Sequence, residues 1–199
     1  RDTNAYGQTK DFTVVGGAQY SYDFDKFLFM PSMLTAGVEF SHNKLNDKML
    51  GYNREINQEV NVYSVYLQNE WKTARFSFLL GGRLDKNSQL DDPIFSPRLN
   101  IRYNPIADLS LRASYSEGFR APQTYDEDLH VAAVGGEVTL IQVAENLKTE
   151  RSRSYSASVD YYTTWGPVQI NLLLEGFYTS LHNPFVLEEI ESDDENKIL

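Results

Sequence analysis

The clearest pattern of apolar and polar positions runs from Leu109 to Tyr115. Leu109, Leu111, Ala113 and Tyr115 alternate with Ser110, Arg112, Ser114 and Ser116. A side-chain period of two over this length predicts a strand with one apolar and one polar face. The strand then meets Gly118 and Pro122, which predict an end to regular structure and the start of a long polar loop over 123–148.

The same period recurs along the chain. Phe12, Val14, Ala18, Tyr20, Tyr22 and Phe24 alternate with Thr13, Gln19, Ser21 and Asp23, with Gly16 and Gly17 marking a bend or a close backbone approach. Leu34, Ala36, Val38 and Phe40 form a second strand, and a polar loop is predicted over 42–59. Strands follow around Tyr63, Val65, Leu67 and Trp71, around Phe76, Phe78, Leu80 and Leu84, and around Pro97, Leu99, Ile101 and Tyr103. Beyond the long loop come Tyr155, Ala157, Val159 and Tyr161, and then an apolar stretch over 168–181. The count is about eight strands, joined in turn by short connections (25–32, 72–74, 104–108, 163–167) and longer ones. Antiparallel neighbours are predicted, with Thr73, Ile106 and Gly166 at one rim and Asn46, Gln89 and Val134 at the other.

Composition sharpens this picture. There are 13 tyrosines and 11 phenylalanines. Tyr22, Phe24, Trp71, Phe76, Tyr103, Tyr161 and Trp165 gather at the short-turn ends, and Phe40, Tyr63, Phe95, Tyr115, Phe119 and Tyr155 at the others. Two aromatic bands are what the two interfaces of a membrane require. The mean hydropathy of −0.45 fits such strands, whose apolar and polar faces average to a hydrophilic value. Alternation alone fits a soluble antiparallel barrel or sandwich equally well. The net charge of −10 argues against nucleic-acid binding, and zero cysteines exclude disulfides, thiolate metal sites and cysteine nucleophiles. No run approaches the length of a transmembrane helix. No catalytic constellation stands out, so the chain reads as a non-enzyme without a cofactor. The histidines are isolated, and His42 and His182 flank loops.

A strand followed by Gly118-Phe119-Arg120-Ala121-Pro122 and a long loop resembles the barrel domain of TonB-dependent outer-membrane receptors. Asn146-Leu147-Lys148-Thr149-Glu150-Arg151-Ser152 is similar to the stretch that starts the family's next strand, with Thr149 where proline is usual. Ser96-Pro97-Arg98 fits the start of the strand before. The resemblance covers nearly the whole chain from Asp11 to Leu187, and the wording near residue 120 is similar to Bacteroidetes-type receptors. It implies an all-β, antiparallel, up-and-down transmembrane barrel of 22 strands, of which residues 1–199 are a part. The signal peptide, plug domain and remaining strands would then lie outside this stretch. It also implies the outer membrane of a Gram-negative cell, and energy-coupled uptake of a scarce metal chelate such as a corrinoid, siderophore or haem. The implied partners are the TonB complex, reached through the plug, the chelate and outer-membrane lipid. A soluble ligand-binding barrel and a passive or adhesive outer-membrane barrel are the alternative readings.

Candidate binding residues lie where the chain is free of the strand ladder. They are Arg120, Tyr125, Asp126, Asp128 and His130. Tyr125, the three carboxylates that follow it and His130 suit a chelate or a divalent cation, and Asp126 and Asp128 have the alternate spacing of oxygen-ligand loops. His130 also lies between the Phe119-Arg120-Ala121-Pro122 box and Asn146-Leu147, where haem importers of the family carry a ligating histidine. Ala144-Glu145 departs from the expected Asn-Pro of that second box, and the nearby carboxylates oppose the haem propionates. Arg83, Arg98, Arg102 and Arg112 project from polar faces, suited to pairing with plug carboxylates or with Asp85 and Glu70.

Overall fold

A computed structural model describes residues 7–49, 54–122, 139–140, 148–186 and 197–198. Alternation here produces long strands: β1 Gly7–Phe27, β2 Met30–Met49, β3 Arg54–Lys72, β4 Phe76–Asn87, β5 Ile94–Ile106 and β6 Leu109–Arg120. They are followed by β7 Thr139–Leu140, β8 Glu150–Trp165, β9 Val168–His182 and β10 Lys197–Ile198. Eight of them form one sheet in the order β1-β2-β3-β4-β5-β6-β8-β9. Every neighbouring pair in it is antiparallel. The two-residue strands β7 and β10 pair separately and in parallel.

Register keeps each face uniform. Leu111 pairs with Tyr103 and Val159, while Arg112 pairs with Arg102 and Ser158. Leu109, Leu111, Val159 and Tyr161 therefore share a face with Leu99 and Ile101, and Arg98, Arg102, Arg112 and Ser158 share the other. A slip of one residue would exchange the faces.

The four inner turns are short. Gly166, at φ 58°, suits the first central position of the two-residue turn between Trp165 and Val168. In the β1–β2 turn Leu28 has φ 63°, and Phe29 N–H donates to the Phe27 carbonyl at 2.9 Å. That is a γ-turn, strained for any residue but glycine. The same carbonyl accepts from Trp71 Nε1 at 2.9 Å. Phe27 and Phe29 stack on Trp71, at 6.3 and 5.5 Å between ring centroids, and Phe78 lies 5.5 Å away. This cluster buries the indole on an otherwise open face.

That openness matters. The buried hydrophobic side chains among the described residues are only Leu45, Val60, Trp71, Ile94 and Ala121. Leu67, Leu80, Leu172 and Leu174 are exposed, Leu174 by 74%. A single sheet with a bare apolar face has no water-excluding core of its own.

Two sequence expectations change. The loop predicted over 42–59 is mostly strand, because β2 and β3 stay paired from Ser32↔Trp71 out to Met49↔Arg54. Its polar residues satisfy one another across the ladder, as in the Lys48–Glu55 ion pair at 2.9 Å and the His42 Nδ1–Asn61 Oδ1 hydrogen bond at 2.8 Å. Gly118 does not end β6, which continues to Arg120 paired with Glu150. As for the rims, Thr73, Ile106 and Gly166 lie at the turn end of the sheet and Asn46 and Gln89 at the far end, while Val134 falls outside the described residues.

Candidate functional site

The polar face holds a continuous network near mid-height on β1–β4. Two register rows build it. In the first, Tyr66 of β3 stands opposite Gly37 of β2, which stands opposite Gln19 of β1. Because Gly37 has no side chain, the Tyr66 ring lies across it, and the phenol donates to Gln19 Oε1 at 2.8 Å. A Cβ on Gly37 would overlap the phenol ring.

The second row contains Glu39, Ser64 and Asp85. Arg83 ties the two rows together. Its Nη2 donates to Glu39 Oε1 at 2.6 Å and to Ser64 Oγ at 2.8 Å, and its Nε donates to Asp85 Oδ1 at 2.7 Å. Ser64 Oγ in turn donates to Asp85 Oδ1 at 2.5 Å. Asp85 is 4% exposed, so its charge depends on these donors. Gln19, Glu39, Tyr66, Gln68, Arg83 and Arg98 help to line a recess of about 410 Å³. A second groove of about 560 Å³ runs past Val38, Phe40, Tyr63, Val65 and Leu84. Its lining is almost wholly apolar and carries little that would orient a polar ligand.

Of the sequence-predicted binding residues, Arg120 is placed at the outer end of β6. Its guanidinium carbon lies 5.3 Å from the centroid of the Phe185 ring, a cation–π contact. Phe185 is held by its backbone N–H, which donates to Glu150 Oε2 at 3.1 Å. The rim therefore offers an aromatic face, a guanidinium and a carboxylate together. Tyr125, Asp126, Asp128 and His130 lie outside the described residues.

The expected arginine pairings separate. Arg83 does take Asp85, but Glu70 instead accepts from Ser77 Oγ at 2.6 Å. Arg112 approaches Asp160 at 3.9 Å. Sequence reasoning missed Glu39, Ser64 and the Tyr66–Gln19 bridge. Their signal was their place on the polar side of each alternation, with Glu39 opposite Gly17 and both Tyr66 and Gln19 opposite Gly37 in register.

The apolar face carries two aromatic rows. At the outer level Phe40 meets Tyr63 at 4.9 Å, Tyr115 meets Tyr155 at 5.0 Å, and Tyr155 meets Tyr178 at 6.3 Å between centroids. At the inner level the Trp71 cluster is joined by Tyr22, Phe24 and Phe27. Eight residues separate Tyr63 from Trp71, about 27 Å along a strand at ~3.4 Å per residue, which a strand tilt of ~35–45° reduces to roughly 20 Å of height. A transmembrane barrel's apolar band is about 25 Å tall. Just beyond the outer row sits an ion pair, Arg153 Nε to Glu117 Oε1 at 3.3 Å, with the Tyr115 hydroxyl donating to the same carboxylate.

Comparison with known proteins agrees with this geometry. A family model described as TonB dependent receptor-like, beta-barrel matches residues 1–194. The siderophore receptor PirA from Pseudomonas aeruginosa is similar in structure, with a TM-score of 0.71 and 18% identity over 96% of this chain and 36% of that one. The hemophore receptor HasR of Serratia marcescens, solved as a double mutant with its hemophore HasA and heme, gives a TM-score of 0.75 at 14% identity. That match covers 96% of this chain and 37% of HasR. The ferric enterobactin receptor PfeA of Pseudomonas aeruginosa, as a G324V mutant, gives 0.66 at 18% identity, covering 96% and 31%. At such identities these likenesses speak to the fold. The chain spans about a third of the length of these receptors. No curated protein sequence matches it.

Proposed function

Since this chain belongs to the β-barrel family of TonB-dependent receptors, we propose that it forms part of the transmembrane wall of an outer-membrane receptor for energy-coupled uptake of a metal chelate. The observation that carries this reading is the two-faced sheet. Its bare apolar face lies between aromatic rows at membrane spacing, and its polar face holds a preorganised network. Lipid covers the first face, and the second lines the lumen.

In the whole receptor the ligand arrives at the outer rim, where Arg120, Phe185 and Glu150 stand, and Tyr125, Asp126, Asp128 and His130 are the further residues assigned to its capture. The plug fills the lumen, and the energy-transducing complex rearranges it through the TonB protein to let the ligand pass. The cargo class is an iron or related chelate, a siderophore, haem or corrinoid. Solved receptors of like fold include siderophore receptors and a hemophore receptor held with heme.

The test is growth of a cell lacking its own receptors, complemented with the full-length gene and supplied with one chelate at a time under metal limitation. Growth on at least one chelate that also requires TonB supports the proposal. Equal uptake with and without TonB would leave a passive barrel instead. Haemin titration of the receptor, compared with His130→Ala, separates haem from the other cargoes. An unchanged Soret band in the mutant removes His130 as a ligand.

A further inference from the structure

Two polar side chains stand on the apolar face near its inner end, and the protein satisfies neither. Ser32 and Asn69 are each 6% exposed. Ser32 Oγ, Asn69 Oδ1 and Asn69 Nδ2 have no hydrogen-bond partner among the described residues. The two are diagonal neighbours, because Ser32 pairs with Trp71 and Asn69 stands two residues before it on β3. Around Asn69 the ladder places only apolar side chains, Leu34 and Leu80 beside it and Leu67 and Trp71 along its own strand. A buried polar group left unpaired costs more than a made hydrogen bond gains.

The cover over Ser32 is the strained turn. Ser32 lies in register between Phe24 on β1 and Trp71 on β3. The Phe27 ring reaches both, at 5.4 and 6.3 Å between centroids, and so spans the serine. Phe27 precedes Leu28, whose φ of 63° is unfavourable for a leucine. Backbone strain of this kind gathers at ligand clamps and switch segments. Unmade hydrogen bonds below and strain above are both relieved when the Phe27–Phe29 turn swings aside for a polar ligand.

We propose that Ser32 and Asn69 bind the glycerol-ester region of one inner-leaflet phospholipid, with the Phe27–Phe29 turn as the lid. Depth selects the part of the lipid. Asn69 lies two residues from Trp71 toward the bilayer centre, roughly 5 Å of height on a strand tilted by ~35–45°. Tryptophan marks the headgroup level, and the ester groups lie just beneath it. Hydrogen bonding selects the headgroup. Ester carbonyls only accept, here from Asn69 Nδ2 and Ser32 Oγ. Asn69 Oδ1 still needs a donor, which an ethanolamine or glycerol headgroup carries and a choline headgroup lacks. Charge has no part in it, since the diagonal neighbours of Asn69 are Ser32, Ala36, Phe78 and Gly82. The inference rests on the receptor reading above, which puts this face in lipid, and goes beyond it by giving one lipid a defined seat.

The experiment takes the full-length receptor from mixed-lipid vesicles into mild detergent and counts retained phospholipid by native mass spectrometry. Urea midpoints in vesicles, read by heat-modifiable gel mobility, accompany it. The probes are phosphatidylethanolamine, phosphatidylglycerol and phosphatidylcholine of equal chain length. The wild type should retain one ethanolamine or glycerol lipid at least about fivefold more than choline lipid. Ser32→Ala/Asn69→Leu should lose that preference. Its midpoint in choline-lipid vesicles should stay level or rise, since apolar side chains replace unpaired polar ones. Adding ethanolamine lipid to those vesicles should raise the midpoint of the wild type and leave that of the double variant unmoved. Equal retention of all three lipids by the wild type, or an undiminished preference in the double variant, overturns the site. TonB-dependent uptake by the double variant then still stands as evidence for the receptor reading. A polypeptide retained in place of lipid overturns the lipid assignment. A chain that forms no heat-modifiable barrel in lipid removes both the site and the receptor reading.

Discussion

Replacing Arg83 by glutamine tests whether the polar network holds the barrel wall together. The substitution removes three hydrogen bonds, two to carboxylates and one to a hydroxyl. Glu39 is about two-fifths exposed, so its lost pairing is worth about 1 kcal/mol or less after screening. Asp85 matters more, being nearly buried. Stripping a buried carboxylate of its cation costs about 3–5 kcal/mol. Ser64 Oγ still donates to Asp85 at 2.5 Å, and the lumen side admits water. The net expectation, at the low end of that range, is therefore a loss of about 3 kcal/mol. Urea unfolding of the full-length receptor in lipid vesicles, followed by gel mobility, measures it. A double-mutant cycle with Asp85→Asn should recover at least about 1 kcal/mol, because the second change removes the orphaned charge. A loss below about 0.5 kcal/mol for Arg83→Gln, or strict additivity, would show that water satisfies Asp85 as well as Arg83 does.

Three further outcomes follow from the same geometry. Gly37→Val should expel the Tyr66 ring from its seat over β2, break the bond to Gln19 and cost about 1–3 kcal/mol by overpacking; an unaltered urea midpoint would refute the contact. Leu28→Gly should stabilise the receptor by about 0.5–1 kcal/mol, since glycine accepts positive φ, whereas Leu28→Val should do the reverse; urea midpoints of the two variants check the sign. At the outer tip of the β2–β3 hairpin, hydrogen bonds from Lys48, Asn57 and Asn46 lower the Glu55 pKa to about 2. A lowered carboxylate stabilises the folded state above its unfolded value near pH 4.5 and loses that contribution as pH falls through about 2. The protection factor of the tip amides, exchange referred to the unfolded-chain rate at the same pH, should therefore fall on acidification through that window, and Glu55→Gln should show low protection throughout it.

How far the sequence revealed this depends on what kind of constraint was involved. Strand existence and face assignment were readable because lipid and water impose a period of two. Leu111 and Arg112 could hardly exchange places, since an arginine toward lipid costs about 2–4 kcal/mol near the midplane. Above the membrane that constraint ends, and β2–β3 extends with Lys44, Asn46 and Lys48 on the face that Val38 and Phe40 begin. With lysine and asparagine where the apolar side of the alternation should continue, and Leu45, Ile56 and Val60 on the other face, this stretch lost the pattern and looked like a loop. Glycine was readable as a type but not by position. Gly16 has nothing near its missing Cβ, Gly17 would approach the Val38 carbonyl at 2.9 Å, and Gly37 and Gly82, which no pattern marked, are the ones that seat aromatic rings, those of Tyr66 and Phe95. The Arg83 network needed register, which links residues 39, 64 and 85 across three strands. Asn69 shows the limit of alternation. It lies on the apolar face beside Leu34 and Leu80, buried, with neither amide atom partnered among the described residues, and alternation gives no account of it.

The placement of the indoles has a practical side. This stretch contains two tryptophans, Trp71 and Trp165, and both stand at the inner end of the sheet. Trp71 is enclosed by phenylalanines, while Trp165 is 81% exposed at a turn. Their emission from this part of the wall is therefore a one-sided optical reporter. Trp71 should emit to the blue and resist aqueous quenchers, and Trp165 should answer to quenchers delivered in the inner leaflet or at its surface. A chelate settling near Arg120 is a full strand length away and should leave both signals still. Any change in emission from these two residues on ligand addition would then be light from the far end of the wall, a direct record of a disturbance that has crossed the membrane.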